Sequence, residues 1–382
     1  MRQRLNRAKP QQRAVAPPVT SRPASPIDPT AAGLLQLQQL SGNEAVQRLL
    51  IGQRQPAGVA APPTVAAGPL SADQVVKAKR FYTAQPARYT RNIIMEIQFE
   101  VGTLPTGRMS DLDVQAVARR QAELNVNATP PLKIDGMAGP RTLPTIFKIG
   151  LAKDANISSY TAKAREKFNN PNGKSEPDIA KDIVETEINP RLQAEGIPPI
   201  KFKIINGLGS RGAFSNADWE LKLDDLQFQP GDKHDLKDTT ATMYHEARHA
   251  EQDFRFGQML AGRKKTAEQI NDETGLNLDI AKLAVQKPLA PGTMEAVIAE
   301  GWHDSLNSPA GLEKRRRNSI ELKAAFNERE AARKANKENP TPANAARQAK
   351  AEARFDRAVA EHDDLPHEFD AERLETKVRQ QF

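Results

Sequence analysis

The chain contains no cysteine among its 382 residues. That excludes disulfides, thiolate nucleophiles and cysteine-bound metal centres, and it leaves histidine and carboxylate side chains as donors for a transition metal. Apolar material is also scarce. Aromatic residues make up 5% of the chain and hydrophobic residues 38%, against 28 prolines, so part of the chain lacks the apolar surface needed to offset its ordering entropy. No run approaches 18 apolar residues, and no membrane span is expected. The charged start Met1-Arg-Gln-Arg is not followed by the apolar stretch of a secretory signal. The expectation is a protein made in the cytoplasm that leaves its cell, if at all, through another machine.

The net charge is +7 and the pI near 9.4. The excess is divided between an N-terminal arm and later helices instead of forming one aromatic-laced patch. This favours acidic partners or a packaging surface, and sequence-specific nucleic-acid reading is not expected. Residues 1–70 read as a disordered arm. Arg2, Arg4, Arg7, Lys9, Arg13 and Arg22 precede the first acid, Asp28, and a Pro/Ala-rich linker runs over 55–68. Between them, residues 31–51 form an amphipathic island. Ser41 and Glu44 stand in capping-box spacing before Val46, Leu49 and Leu50, the pattern of a short docking motif.

Residues 71–152 predict a small helical domain, with helices over 71–84, 90–101, 110–125 and 140–151. Asp135-Gly136 signals a turn, and Gly139-Pro140 a helix start. From 153 a third region begins. A capped helix is predicted over 175–195, and strands are predicted at Ile200-Lys-Phe-Lys-Ile and Trp219-Glu-Leu-Lys-Leu-Asp, where apolar and charged residues alternate. Further on, 313–336 and 344–361 predict a long helical hairpin turned at Asn339-Pro-Thr-Pro342. Its run Lys314-Arg-Arg-Arg317 reads as a solvated helix face beside acidic neighbours.

The chemistry concentrates in His245-Glu246-Ala247-Arg248-His249. On a helix, residues four apart project from one face, so the two imidazoles can reach one tetrahedral zinc ion through neutral ring nitrogens. Glu246 lies about 100° round the helix, placed to take the proton of a water activated by the metal. Asp238, Thr239 and Thr240 are N-cap candidates and Gly262 a stop. Met243, Ala247, Ala250 and Phe254 form an apolar stripe roughly opposite the histidines. The expectation is a helix with one face on a core and the other facing a cleft.

Three resemblances add to this reading. Leu35-Gln-Leu-Gln-Gln-Leu-Ser-Gly-Asn-Glu-Ala-Val-Gln-Arg-Leu-Leu resembles a segment near the N-terminus of cargo proteins of extracellular contractile injection systems. It implies a packaged effector exported by an injection particle that the arm docks with. Asp135, Gly136, Gly139, Pro140 and Thr142, with Gln121 before them, resemble the signature of the peptidoglycan-binding domain family, which implies a helical fold and a peptidoglycan partner for 71–152. The segment from Tyr244 to Gln252, with Leu365-Pro-His-Glu-Phe-Asp-Ala, is similar to gluzincin-type zincins. That resemblance implies His245, His249 and Glu368 as zinc ligands, Glu246 as general base and a protein or peptide substrate.

Glu368 lies 368 − 249 = 119 residues beyond His249, farther than in compact gluzincins, so the intervening helices must loop out and return. Glu295, Glu300 and His303 compete as the third ligand, and His367, Asp370 and Glu372 lie close enough to Glu368 to be confused with it. Tyr244, His303, His362 and His367 are candidates for stabilising an oxyanion. The chain therefore reads as an α+β, predominantly helical protein. A disordered arm precedes a peptidoglycan-binding-like domain and a zincin-like metallopeptidase domain (153–382) carrying a helical hairpin insertion. A zinc-dependent, protein-cutting effector toxin is the leading reading. A cell-wall endopeptidase and a non-enzymatic packaged binding protein with a relic zinc motif are the alternatives.

Overall fold

Hydroxyl caps open the first three helices. Ser71, Thr90 and Ser110 each accept a hydrogen bond from the backbone three residues on, starting α1 (Ala72–Thr83), α2 (Arg91–Glu100) and α3 (Asp111–Leu124). A computed structural model describes residues 68–382 except 127, 209 and 230–234, so the arm and its 31–51 motif lie outside the described residues. The fourth helix, α4 (Thr142–Phe147), ends before the expected 151 because Lys148 turns into the left-handed region and a 3-10 turn follows at Gly150–Ala152.

Gln121 organises the turn before α4. Its side-chain oxygen accepts from the backbone N–H groups of Asp135 and Gly136, and its amide donates to Met137 O and Thr142 Oγ1. Asp135, Gly136 and Thr142 are thus used in building the turn. This module packs directly on later parts of the chain: Arg88 Nε meets Glu300 Oε2 at 2.8 Å, and Arg373 donates to Leu124 O and Pro130 O. The described residues form one compact unit.

The helix predicted over 175–195 is continuous but irregular. It comprises α6 (Glu176–Ile183), a π-helical turn at Val184–Ile188, and α7 (Asn189–Ala194), preceded by α5 (Asp154–Asn169). Pro190 cannot donate to the carbonyl four residues back, and the widened turn falls where that bond is missing. A small sheet comes next: β1 (Lys201–Ile205), β2 (Gly212–Ser215) and β3 (Glu220–Asp224) in the order β1-β3-β2. β3 pairs parallel with β1 and antiparallel with β2, and its Leu221 and Leu223 are fully buried.

α8 (Leu236–Gly262) carries the H-E-x-x-H motif. It starts earlier than Asp238–Thr240 suggested, because Asp235 is extended and its carboxylate caps Lys237 N. Met243, Ala247, Ala250 and Phe254 are buried as the stripe predicts, but Arg248, Glu251, Gln252 and Arg255 are buried too. α8 is therefore a central helix covered on several sides. α9 (Ala267–Thr274), α10 (Leu278–Gln286) and α11 (Met294–Asn307) pack around it.

The hairpin of α12 (Pro309–Glu338) and α13 (Pro342–Asp363) then leaves and returns, and α14 (Pro366–Gln381) lies back along α8. The hairpin seam is made of small residues. Asn318, Ala325 and Ala332 recur every seven positions on α12, and Ala351 and Ala358 do so on α13; all five are buried. The chain is mostly helical, with one three-stranded sheet among the described residues. No described helix is long and apolar enough to cross a membrane.

Candidate metal centre

A buried ionic network fixes α14 against α8. The Arg248 side chain, 0% exposed, donates from Nε to Asp370 Oδ2 at 2.7 Å and from Nη1 to Ile149 O and to Glu251. Glu251 also accepts from Arg255 Nε and from Leu151 N, both at 2.8 Å. A side chain at Gly150, whose φ is +57°, would collide with the Glu251 carboxylate. Burial alone would raise the Glu251 carboxyl, but Arg248 and Arg255 outweigh it and hold the group below the usual range.

Two residues before Asp370, this clamp delivers Glu368 to the histidines. His245 Nε2 and His249 Nε2 are 3.0 Å apart, and Glu368 Oε2 lies 3.6 Å from the first and 3.4 Å from the second. Donor atoms about 2.0–2.1 Å from a tetrahedral zinc ion stand about 3.3–3.4 Å from one another, so the three separations bracket that value. The three side chains are 14–16% exposed, so the centre opens to solvent on one side.

The tautomers of both rings follow from their partners. The Gln252 amide nitrogen faces two acceptors, His367 O at 2.9 Å and Asp370 Oδ2 at 3.0 Å. Its oxygen must then be the atom 2.9 Å from His249 Nδ1, and that nitrogen donates. His245 Nδ1 stands 2.8 Å from Glu375 Oε2, a charge contact rather than an aligned hydrogen bond. It likewise favours the proton on Nδ1. Each ring therefore aims a lone pair from Nε2 at the same point, where Glu368 adds a carboxylate oxygen. With both rings neutral, three electron-pair donors converge and repel unless a cation sits between them, so the donor set fits a divalent metal.

The electrostatics show a cluster that attracts positive charge, whether a proton on the imidazoles or a metal between the donors. Burial would depress both imidazoles, but the Glu368 carboxylate, with Glu375 at His245, overrides it and raises both. Burial would raise Glu368, yet His249 and His245 hold it well below the carboxylate range. Glu246 is 7% exposed, and burial pushes its carboxyl up despite both histidines. β2 crosses above it: an added Cβ at Gly212 would lie 2.7 Å from Thr242 Cγ2 and 3.1 Å from Glu246 Cγ. The edge strand can approach Glu246 this closely because residue 212 is glycine.

The competing residues are elsewhere. Glu295 faces Glu96 on α2. Glu300 is held by Arg88 and Arg263, and His303 lies beside Glu273 and Asp304. Asp370 is engaged by Arg248 and Gln252. Glu372 groups with His245 and Glu375, on the Nδ1 side of that ring. Among the oxyanion candidates, Tyr244 is fully buried and donates to Leu151 O, so its hydroxyl does not face the donors. His362 Nε2 and His367 Nε2 approach Glu368 Oε1, at 3.7 and 3.1 Å. Glu375, Gln252 and Gly212 escaped the sequence reading. The first two carried a signal in retrospect, Glu375 one heptad after Glu368 and Gln252 three residues after His249, spacings that keep a helical face. No family model, curated protein or solved structure matches the chain.

Proposed function

We propose that the chain is a zinc-dependent peptidase. The observation that carries this reading is the convergence of His245 Nε2, His249 Nε2 and Glu368 Oε2 within 3.0–3.6 Å, with the carboxyl group of Glu246 beside them. His245, His249 and Glu368 would hold the zinc ion, which would supply Lewis-acid polarisation of a carbonyl and a lowered water pKa. The chain's own residues do the rest. Glu246, raised by burial, takes the water's proton as general base and passes it to the leaving amine. Glu375 and Gln252 keep the two imidazoles oriented with Nε2 toward the donors' common point.

A peptide substrate is favoured over a small ester or amide by β2. It is a sheet edge that pairs on one side with β3 and runs past Glu246, the arrangement in which an extended chain adds as a further strand. The effector role and delivery by a contractile injection particle are proposed from the 31–51 resemblance alone. A peptidoglycan substrate is the second reading, because the 71–152 module packs on the same compact unit as the candidate centre. The test is hydrolysis of an unstructured protein by the zinc-loaded chain and by Glu246→Gln. Loss of hydrolysis with zinc content retained is expected; full hydrolysis by the variant overturns the mechanism.

A further inference from the structure

The start of α12 presents two exposed ridges of side chains. Leu312, Arg316 and Ile320 follow one another at i, i+4 and i+8, and Arg315 and Ser319 run beside them at the same spacing. Rows of this kind are the ridges of a helix surface, and the small Ser319 side chain leaves an open groove of about 500 Å³ between them. Its walls combine apolar surface with positive charge. Leu312 is 43% exposed and Ile320 60%. A single exposed apolar side chain is ordinary on a protein surface. Two on one ridge with a guanidinium between them form a patterned surface.

The run Lys314-Arg-Arg-Arg317 is not neutralised throughout. Lys314 pairs with Asp364 at 3.6 Å. Arg316 meets Glu313 at 3.5 Å with the two side chains 73% and 68% exposed, where solvent screening leaves the contact weak. Arg315 has no carboxylate within 4.0 Å among the described residues. Its charge still reaches the candidate centre. Burial raises the carboxyl of Asp253, one turn of α8 beyond His249, and the charges of His249 and Arg315 both pull it down. The groove therefore lies near the donors, at the base of the hairpin.

We propose that this groove is an exosite for the peptide substrate, seating a segment away from the scissile bond in which carboxylates flank a large apolar side chain. The apolar side chain fills the space over Ser319 between Leu312 and Ile320, and the carboxylates meet Arg315 and Arg316, whose planar guanidinium groups match them. An anionic membrane fits less well. The exposed Glu313 carboxylate also lines the groove; a flat anionic surface would press on it, whereas a narrow peptide can leave it in water. The inference rests on the peptidase reading and adds a chemical class of substrate to it.

The test uses the full-length chain and two dye-labelled, unstructured peptides. In one, aspartates and glutamates flank a central leucine; in the other, asparagines and glutamines replace them. Fluorescence anisotropy with metal-free protein measures binding without turnover. The acidic peptide should bind about 3–30-fold more tightly than its neutral twin, and salt should shrink the difference. Arg315→Gln with Arg316→Gln should erase most of that advantage, and Ile320→Ser should weaken both peptides. All three side chains are exposed, so the variants should fold, and an unchanged urea midpoint checks that they do. In the zinc-loaded chain, the double variant should raise KM for the acidic peptide at constant kcat. Equal affinity for the two peptides, or no loss in the double variant, overturns the exosite, as does binding to phosphatidylserine vesicles in place of the peptides. Arginine-dependent binding without hydrolysis by any form leaves the groove standing as a peptide site and refutes the peptidase reading instead.

Discussion

Replacing Arg248 by methionine should be among the most damaging single changes in the chain, and the reason lies in what stays behind. The guanidinium is 0% exposed, is the closest cation to Asp370 at 2.7 Å, and stacks over Trp302 with 5.0 Å to the ring centre. Methionine fills much of the volume but leaves two buried carboxylates. Glu251 keeps Arg255 Nε and Leu151 N, both at 2.8 Å, whereas Asp370 keeps only the Gln252 amide at 3.0 Å. Removing one partner of a buried pair costs about 3–5 kcal/mol, a large share of a total stability on the order of 5–15 kcal/mol. Most of that cost falls on Asp370, so adding Asp370→Asn to Arg248→Met should recover about half of it. Urea unfolding followed by tryptophan fluorescence, in excess chelator to remove metal linkage, measures both. An Arg248→Met chain within about 1 kcal/mol of wild type, or a double variant no better than the single one, refutes the reasoning.

Two further outcomes are expected from the geometry. Gly212→Val should lower peptide hydrolysis at least tenfold, because the new side chain meets Thr242 and Glu246 and lifts the strand off the general base. Overpacking of this kind costs roughly 1–3 kcal/mol, so a chain that unfolds at the wild-type midpoint with full kcat/KM contradicts the role given to β2. Glu96 on α2 is held at about 7 instead of its ordinary 4.5 by burial and by the facing carboxylates of Glu295 and Glu100. The folded state therefore binds its proton more tightly than the unfolded state. The stability it contributes is present below pH 4.5 and is lost as pH rises through about 7. Glu96→Gln should stabilise the chain by about 2–3 kcal/mol at pH 8 and flatten the stability profile between about pH 5 and 7; no change at pH 8 refutes this.

Much of this architecture could be read from local chemistry. Ser71, Thr90 and Ser110 announced three helices within a residue, and Asn339-Pro-Thr-Pro342 announced the hairpin turn, because caps and prolines act within one turn of backbone. β2 could not be read, since Gly-Ala-Phe-Ser is too short to show alternation and is a strand only because β3 lies beside it. The two-faced view of α8 failed for a similar reason. Arg248, Glu251 and Arg255 look like a solvent face until Asp370 and Glu195 arrive from distant parts of the chain to neutralise them. At the candidate centre, the helical spacing of His245 and His249 was legible. The approach of Glu368 across 119 residues was expected from a resemblance, not from physics. The physical cause, the Arg248–Asp370 clamp, shows only in three dimensions.

The most direct measurement is the metal content of purified full-length protein by elemental analysis, wild type beside Glu368→Ala. Three donors converging within 3.6 Å predict about one zinc per chain in the wild type and a marked loss in the variant. Equal zinc in both would contradict the place given to Glu368. No zinc in either, even after the metal is supplied, would contradict the metal centre itself.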